Sequence, residues 1–296
     1  MIPDIFGPRL AGLLANPGVT DVLVNGHDQV WVQRGRGQLE LVASPFESEA
    51  ELGSLAQSLI SAGGRHLDQS NPFADVAVES KYRVHASIAS ACHPKTLLSL
   101  RVHEGRHFGL SELAQNGMFD EVKLGLLRKI IADRQNYLIA GAAGTGKTTL
   151  LRAMLAECRG ERVIALEDVS EIGIEVGHFI SLQTRQPNIE GRGEITLERL
   201  VREALRMRPD RIAVGEVRGA ELLVMLQALN TGHSGAGATI HANSADAVTE
   251  RIASIGRHSG VTTEDILGQA KAAIDWVIFL ERIDGVHQVA SISRLQ

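Results

Sequence analysis

The sequence predicts two modules in series, a small α+β module followed by a larger α/β domain on a largely parallel sheet. Three observations carry this. In the first hundred residues, short apolar alternations are separated by turn signals, with one clear amphipathic helix among them. Beyond residue 110, strand-like runs alternate with helical patterns, the signature of a parallel sheet with helices on both faces. At one of those strand-to-helix junctions stands Gly141-Ala-Ala-Gly-Thr-Gly-Lys-Thr148, which fits the phosphate-loop pattern G-x-x-x-x-G-K-[ST].

A chain of 296 residues is near the size at which one core gives way to two. The expected boundaries are 1–103 for the first module, 104–110 for a polar linker and 111–296 for the second module. A short helix from Pro8 to Leu14 stops at Asn16-Pro17-Gly18. Asp21–Val24, Val30–Val32 and Leu39–Val42 read as an antiparallel meander turned at Asn25-Gly26 and Arg34-Gly-Arg-Gly37. Leu52, Leu55, Ala56, Leu59 and Ile60 share one helix face, which ends at Gly63-Gly64. Asp75–Val78, Arg83–Ile88 and Leu97–Val102 add strands.

The second module opens with helices near Ser111–Gln115 and Asp120–Ala132, the latter expected to bury Val122, Leu126, Leu127, Ile130 and Ile131. Tyr137–Ala140 leads into the phosphate loop, and Thr149–Leu155 continues as a helix. Val163–Leu166, Phe179–Leu182, Ile212–Val214 and Ala238–Ile240 read as further strands. Ala220–Leu229 is apolar nearly all round, as in a buried helix. Ala245–Ile255 and Thr263–Ala273 are helical, and Trp276–Leu280 with Val286–Ile292 form a closing pair of strands.

Composition narrows the function classes. The net charge of −5 and pI of about 6.1 lack the usual footprint of a nucleic-acid binder. Cys92 and Cys158 fall in different modules and allow neither a disulfide framework nor a CxxC metal site, so a reducing cytoplasm is the expected home. No apolar run is long enough to cross a bilayer and the start lacks a signal-peptide pattern, so any membrane role is expected to be peripheral.

The chemistry-bearing residues follow the loop. Its glycines let backbone N–H groups turn inward around a phosphate, and the helix N-terminus adds partial positive charge. Gly141, Ala142, Ala143, Gly144, Thr145, Gly146, Lys147, Thr148 and Thr149 are therefore the candidate nucleotide contacts. Lys147 reaches the β- and γ-phosphates, and Thr148 holds Mg²⁺ through its hydroxyl. Glu167 and Asp168 end a strand, where ligand sites in parallel sheets gather. Ile212-Ala-Val-Gly215-Glu216 resembles a Walker-B strand, but glycine stands where aspartate is usual. Glu216 is expected to polarise the attacking water, with Glu167 or Asp168 supporting the metal through water. His233 and His241 bracket a strand, and His241 is the choice for reading the γ-phosphate. Arginines crowd the stretch from Arg185 to Arg218, and one or two of them are candidates for neutralising transition-state charge across a subunit interface.

Together, Gly141–Thr148, Leu166–Asp168, Leu182–Gly191, Ala204–Gly219 and Asn230–Asn243 resemble the type II/type IV secretion traffic ATPases, nearest to the Tad pilus and conjugal-transfer-associated branch. Asp21–Gly26, Tyr82–His85 and Leu98–Arg101 extend the likeness into the first module. The resemblance implies a RecA-like P-loop NTPase domain preceded by a smaller α+β, PAS-like N-terminal domain. It also implies a homo-hexameric ring, ATP and Mg²⁺ as cofactors, and nucleotide bound between the domains and driving their motion. Glu167 and Asp168 then occupy the family's Asp box, Glu216 its Walker-B glutamate, and His233 and His241 its His box. Arg83, Arg101, Arg206 and Arg218 match family arginines near the nucleotide. Three departures stand out. There is no four-cysteine module of the kind common in the pilus-extension and type II branches, the chain starts almost directly on the first module, and Ser90–Lys95 replaces the usual proline-rich turn.

The expectation is thus an Mg²⁺-dependent ATPase at the inner face of the cytoplasmic membrane, working on a membrane platform protein and binding no nucleic acid stably. The alternatives are a RecA-like nucleic-acid translocase and a nucleotide-gated interaction module.

Overall fold

The computed structural model describes residues 2–35, 37–79, 81–90, 93–102, 108–175, 177–187, 191–283 and 285–295. The chain divides into two compact units, Met1–Arg106 with Arg185–Glu194, and His107–Thr184 with Ile195–Gln296. Of the linker expected over 104–110, residues 104–107 lie outside the described residues, as does Cys92. The segment Arg185–Glu194, which the sequence boundary leaves in the second module, groups with the first unit. Asn71 Nδ2 donates to Gln186 Oε1 at 3.4 Å, and Arg185 Nε donates to Gly193 O at 2.7 Å.

The first unit begins with a 3₁₀ turn, Asp4–Phe6, and then runs α1 (Gly7–Leu14), β1 (Val19–Asn25), β2 (Val30–Arg34), β3 (Glu40–Val42), α2 (Glu49–Ala62), β4 (Phe73–Val78), β5 (Tyr82–Ser87) and β6 (Leu97–Val102). Its strands form one six-stranded antiparallel sheet in the order β3-β2-β1-β6-β5-β4. Ser48 caps α2 by accepting a hydrogen bond from Glu51 N. The buried stripe Leu52, Ala56, Leu59 and Ile60 packs into the same core as Val76, Val84 and Leu100 of the sheet. Each such aliphatic side chain stabilises the unit by roughly 1.5–3 kcal/mol.

The second unit runs α3 (Leu110–Gln115), α4 (Glu121–Ala132), β7 (Tyr137–Gly141), α5 (Lys147–Ala156), β8 (Val163–Glu167), β9 (Phe179–Gln183), α6 (Leu197–Leu205), β10 (Arg211–Val214), α7 (Glu221–Leu229), β11 (Gly237–His241), α8 (Ala247–His258), α9 (Thr263–Ala273), β12 (Trp276–Ile283) and β13 (Val286–Ser293). The seven strands lie in the order β13-β12-β7-β11-β10-β8-β9, parallel except for the β12–β13 hairpin. Strands β7, β8 and β10 are buried at every residue because helices cover both faces. Tyr137 and Ile139 pack with α3–α5, whereas Leu138 and Ala140 pack with α6–α9.

One expectation within α4 fails. Its buried residues are Leu124, Leu127, Ile130 and Ile131, while Val122 is 81% exposed and Leu126 is half-buried. At about 100° per residue, Val122 sits some 200° round the helix from Leu124, so both cannot face the sheet.

Candidate functional site

The phosphate loop lies at the C-terminal edge of the sheet, between the end of β7 and the start of α5. Gly146 caps α5 with φ +94°, a left-handed conformation that a side chain disfavours. Thr145 Oγ1 donates to Ala142 O at 2.9 Å and closes the turn. Lys147, only 7% exposed, folds back so that Nζ donates to Gly141 O at 2.9 Å and Ala142 O at 2.8 Å. Burial pulls its pKa below the ordinary lysine value, with Glu216 opposing and Arg218 adding to the shift.

Beside the loop, β10 and β11 deliver Glu216 and His241. Glu216 Oε1 stands 3.3 Å from His241 Nε2. Arg218 grips the same carboxylate in a two-pronged contact, Nε to Oε1 and Nη2 to Oε2, both at 2.7 Å. Its third nitrogen, Nη1, is 3.9 Å from Asp168 Oδ2. Burial pushes the Glu216 carboxyl up, but the Arg218 hydrogen bond and charge, with His241 and Lys147, hold it below the usual carboxylate value. Burial, aided by Lys147 and Arg218, lowers the His241 pKa against the pull of Glu216. At neutral pH the site therefore pairs an ionised carboxylate with a neutral imidazole. The turn that aims Arg218 is fixed by Glu221, whose Oε1 accepts from Arg218 N at 2.5 Å and Gly219 N at 2.7 Å. Thr239 Oγ1 donates to Gly215 O at 2.6 Å, which ties the ends of β10 and β11 together.

Glu167 behaves differently from its neighbour Asp168. It is 3% exposed, and its Oε1 accepts from Glu171 N and Ile172 N, each at 2.9 Å. Oε2 is buried without a hydrogen-bond partner. Burial raises its pKa to about 7 against those two backbone donors. This side chain also accounts for Gly215, because a Cβ at 215 would lie 3.0 Å from Glu167 Cγ. A side chain at 215 would need Glu167 to give way by a few tenths of an ångström. Thr148, half-buried at the start of α5, and Asp168 offer hard oxygen donors of the kind Mg²⁺ takes. Among the described residues no three His, Cys, Asp or Glu side chains group to hold a metal.

His233 precedes β11 at the opposite edge of the sheet from the loop, so it does not join Lys147, Glu216, Arg218 and His241. It lines a cavity of about 120 Å³ with Arg134, Asp210 and Arg211. Arg206 follows α6, 76% exposed, with Nη1 3.3 Å from Glu203. Arg211 is buried and structural, bound to Glu161 and to Ile131 O. In the first unit, Arg83 and Arg101 are direct cross-strand partners on β5 and β6, paired with Asp75 and Asp21 respectively. Two residues against the loop had no signal in the sequence. A Cβ on Gly146 would lie 3.0 Å from Met118 Cε and 3.3 Å from His287 Nδ1.

Comparison with known proteins bears on the whole chain. It is 40% identical over 280 residues to a putative conjugal transfer protein of Mycobacterium tuberculosis, covering 92% of this chain and 79% of that protein. The crystal structure of the VirB11 ATPase from the Brucella suis type IV secretion system, in complex with sulphate, matches with a TM-score of 0.53 at 22% identity, covering 98% of this chain and 97% of that one. The pilus retraction motor PilT with bound ADP matches with a TM-score of 0.67 at 18% identity, covering 99% and 82%. These two structures share the fold, a RecA-like ATPase domain with an N-terminal domain. Residues 9–282 match the type II/IV secretion system protein family, and the chain belongs to that family.

Proposed function

We propose that this chain is an Mg²⁺-dependent ATP hydrolase, the motor of a type IV secretion, conjugal-transfer or Tad-type pilus system. In this reading it works as a homo-hexameric ring at the cytoplasmic face of the inner membrane, against a membrane platform protein. The observation that carries the reading is Glu216, held 3.3 Å from His241 and gripped by Arg218, just past the ends of β10 and β11 on one side of a phosphate loop. Family membership favours a secretion motor over a nucleic-acid translocase. No described helix is long and apolar enough to cross a membrane.

The residues divide the work. Incoming phosphate oxygens draw Lys147 Nζ from the Gly141 and Ala142 carbonyls, while loop N–H groups and the α5 N-terminus surround the charge. Glu216 accepts a hydrogen bond from the attacking water and takes its proton. Arg218 donates to both Glu216 oxygens, each of which can still accept a hydrogen bond from the water, and a turn of its guanidinium away from Glu216 would offer it to the developing phosphate charge. His241 offers a ring N–H to the γ-phosphate. Thr148 and Asp168 would hold Mg²⁺, which supplies charge neutralisation on the phosphates.

Phosphate release and nucleotide binding test this together. Glu216→Gln should lower kcat by about 100-fold or more while ATP still binds, and Lys147→Ala should abolish both. A Glu216→Gln protein that binds ATP and hydrolyses it at the wild-type rate overturns the assignment. Crosslinking of the Glu216→Gln protein in native membranes with ATP should recover a polytopic membrane protein, and recovery of DNA-processing factors instead would overturn the secretion reading.

A further inference from the structure

The phosphate loop has two unlike flanks. On one, β11 and β10 bring His241, Glu216 and Arg218, so a triphosphate held by the loop directs its scissile end that way. Its nucleoside end must then leave over the other flank, where β12 and β13 lie. Strand β12 runs parallel to β7 with Leu280 opposite Gly141, so its last residues extend past the end of β7 and alongside the loop. The chain returns in β13 with His287 opposite Arg282. This return strand is fastened to the α3–α4 connection and to α4 itself, because Val289 N donates to Met118 O at 2.8 Å and Lys123 Nζ donates to Val289 O at 2.7 Å. The result sets the Met118 thioether and the half-buried His287 ring directly against Gly146, the last glycine of the loop.

We infer that His287, backed by Met118, is the nucleoside-contacting wall of the site, meeting the base and ribose of the triphosphate that the loop holds. This rests on the ATP-hydrolase reading and adds to it the element that distinguishes a nucleotide from a bare polyphosphate. A flat imidazole stacks on a base or hydrogen-bonds a ribose, and a thioether is a soft, polarisable surface beside it. A bare polyphosphate has neither group to offer, so it should be indifferent to this wall.

The test compares ATP with inorganic tripolyphosphate on the full chain. His287→Ala should raise KM for ATP about tenfold, the worth of one lost base contact. Its kcat should stay within about twofold, and competitive inhibition by tripolyphosphate should match the wild type, which also reports that the loop is intact in the variant. An unchanged KM for ATP overturns the inference, and so does a parallel weakening of tripolyphosphate, which would mean that His287 acts only by shaping the loop. Failure of the underlying reading looks different, since the wild type itself would then show no Lys147-dependent turnover or nucleotide binding.

Discussion

Glu167 shows how a single side chain can set both a backbone constraint and a pH dependence. Its carboxyl is 3% exposed and its pKa is raised to about 7, burial being the main cause. An acid whose pKa rises on folding binds its proton more tightly in the folded chain. Stability therefore falls as pH climbs from the ordinary carboxylate range, 4.5, towards 7, and the loss is complete above that. For a group this deeply buried the full effect is about 3 kcal/mol. Glu167→Gln keeps an oxygen to accept from Glu171 N and Ile172 N but removes the titration. Calorimetric unfolding should show a melting temperature that drops from pH 5 to 8 in the wild type and stays nearly level in the variant. Equal slopes in the two proteins would mean that Glu167 is charged throughout, and that its buried oxygen finds a partner in solution.

At the scale of elements, burial pattern and local motif were not equally readable. The loop was legible because its spacing is local, and Glu216 and His241 because each stands at or just beyond the end of a strand whose neighbours are apolar. His233 brackets the same strand from its other end. Five residues of β11 at about 3.3 Å each hold the two histidines at opposite edges of the sheet. Met118 and His287 were invisible because only sheet pairing brings them, from opposite ends of the unit, to Gly146. Gly215, where an acid is usual, stands against Glu167, whose Cγ a Cβ there would meet at 3.0 Å. In α4 the apolar residue nearest the N-terminus, Val122, faces away from the sheet, which mutation can check. Leu124→Ala should cost about 2–5 kcal/mol by leaving a cavity under the sheet. Val122→Lys, at a site 81% exposed, should change stability by no more than about 0.5 kcal/mol in urea titration. The opposite ranking would place α4 one face round from its position here.

For the whole molecule, the division of cores decides how ligand binding is felt. The first unit has its own continuous core, built on Phe6, Leu52, Val76 and Leu100, and the second has cores on both faces of its parallel sheet. Two complete cores predict two unfolding transitions rather than one, because each unit can lose its packing as a cooperative whole. Lys147, Glu216, Arg218, His241 and His287 all belong to the second unit. A ligand that binds only folded protein, at 100 times its Kd, stabilises what it binds by about 2.7 kcal/mol. For a unit of this size that corresponds to a rise of roughly 5–10 °C in melting temperature. A slowly hydrolysed ATP analogue should therefore raise the transition that hydrogen exchange assigns to the second unit by that amount. In Lys147→Ala the rise should vanish, because the cation drawn from the loop carbonyls is the group that meets the phosphates. A rise that persists without Lys147 would put the analogue somewhere other than the phosphate loop, and the functions assigned to Glu216, His241 and His287 would fall with it.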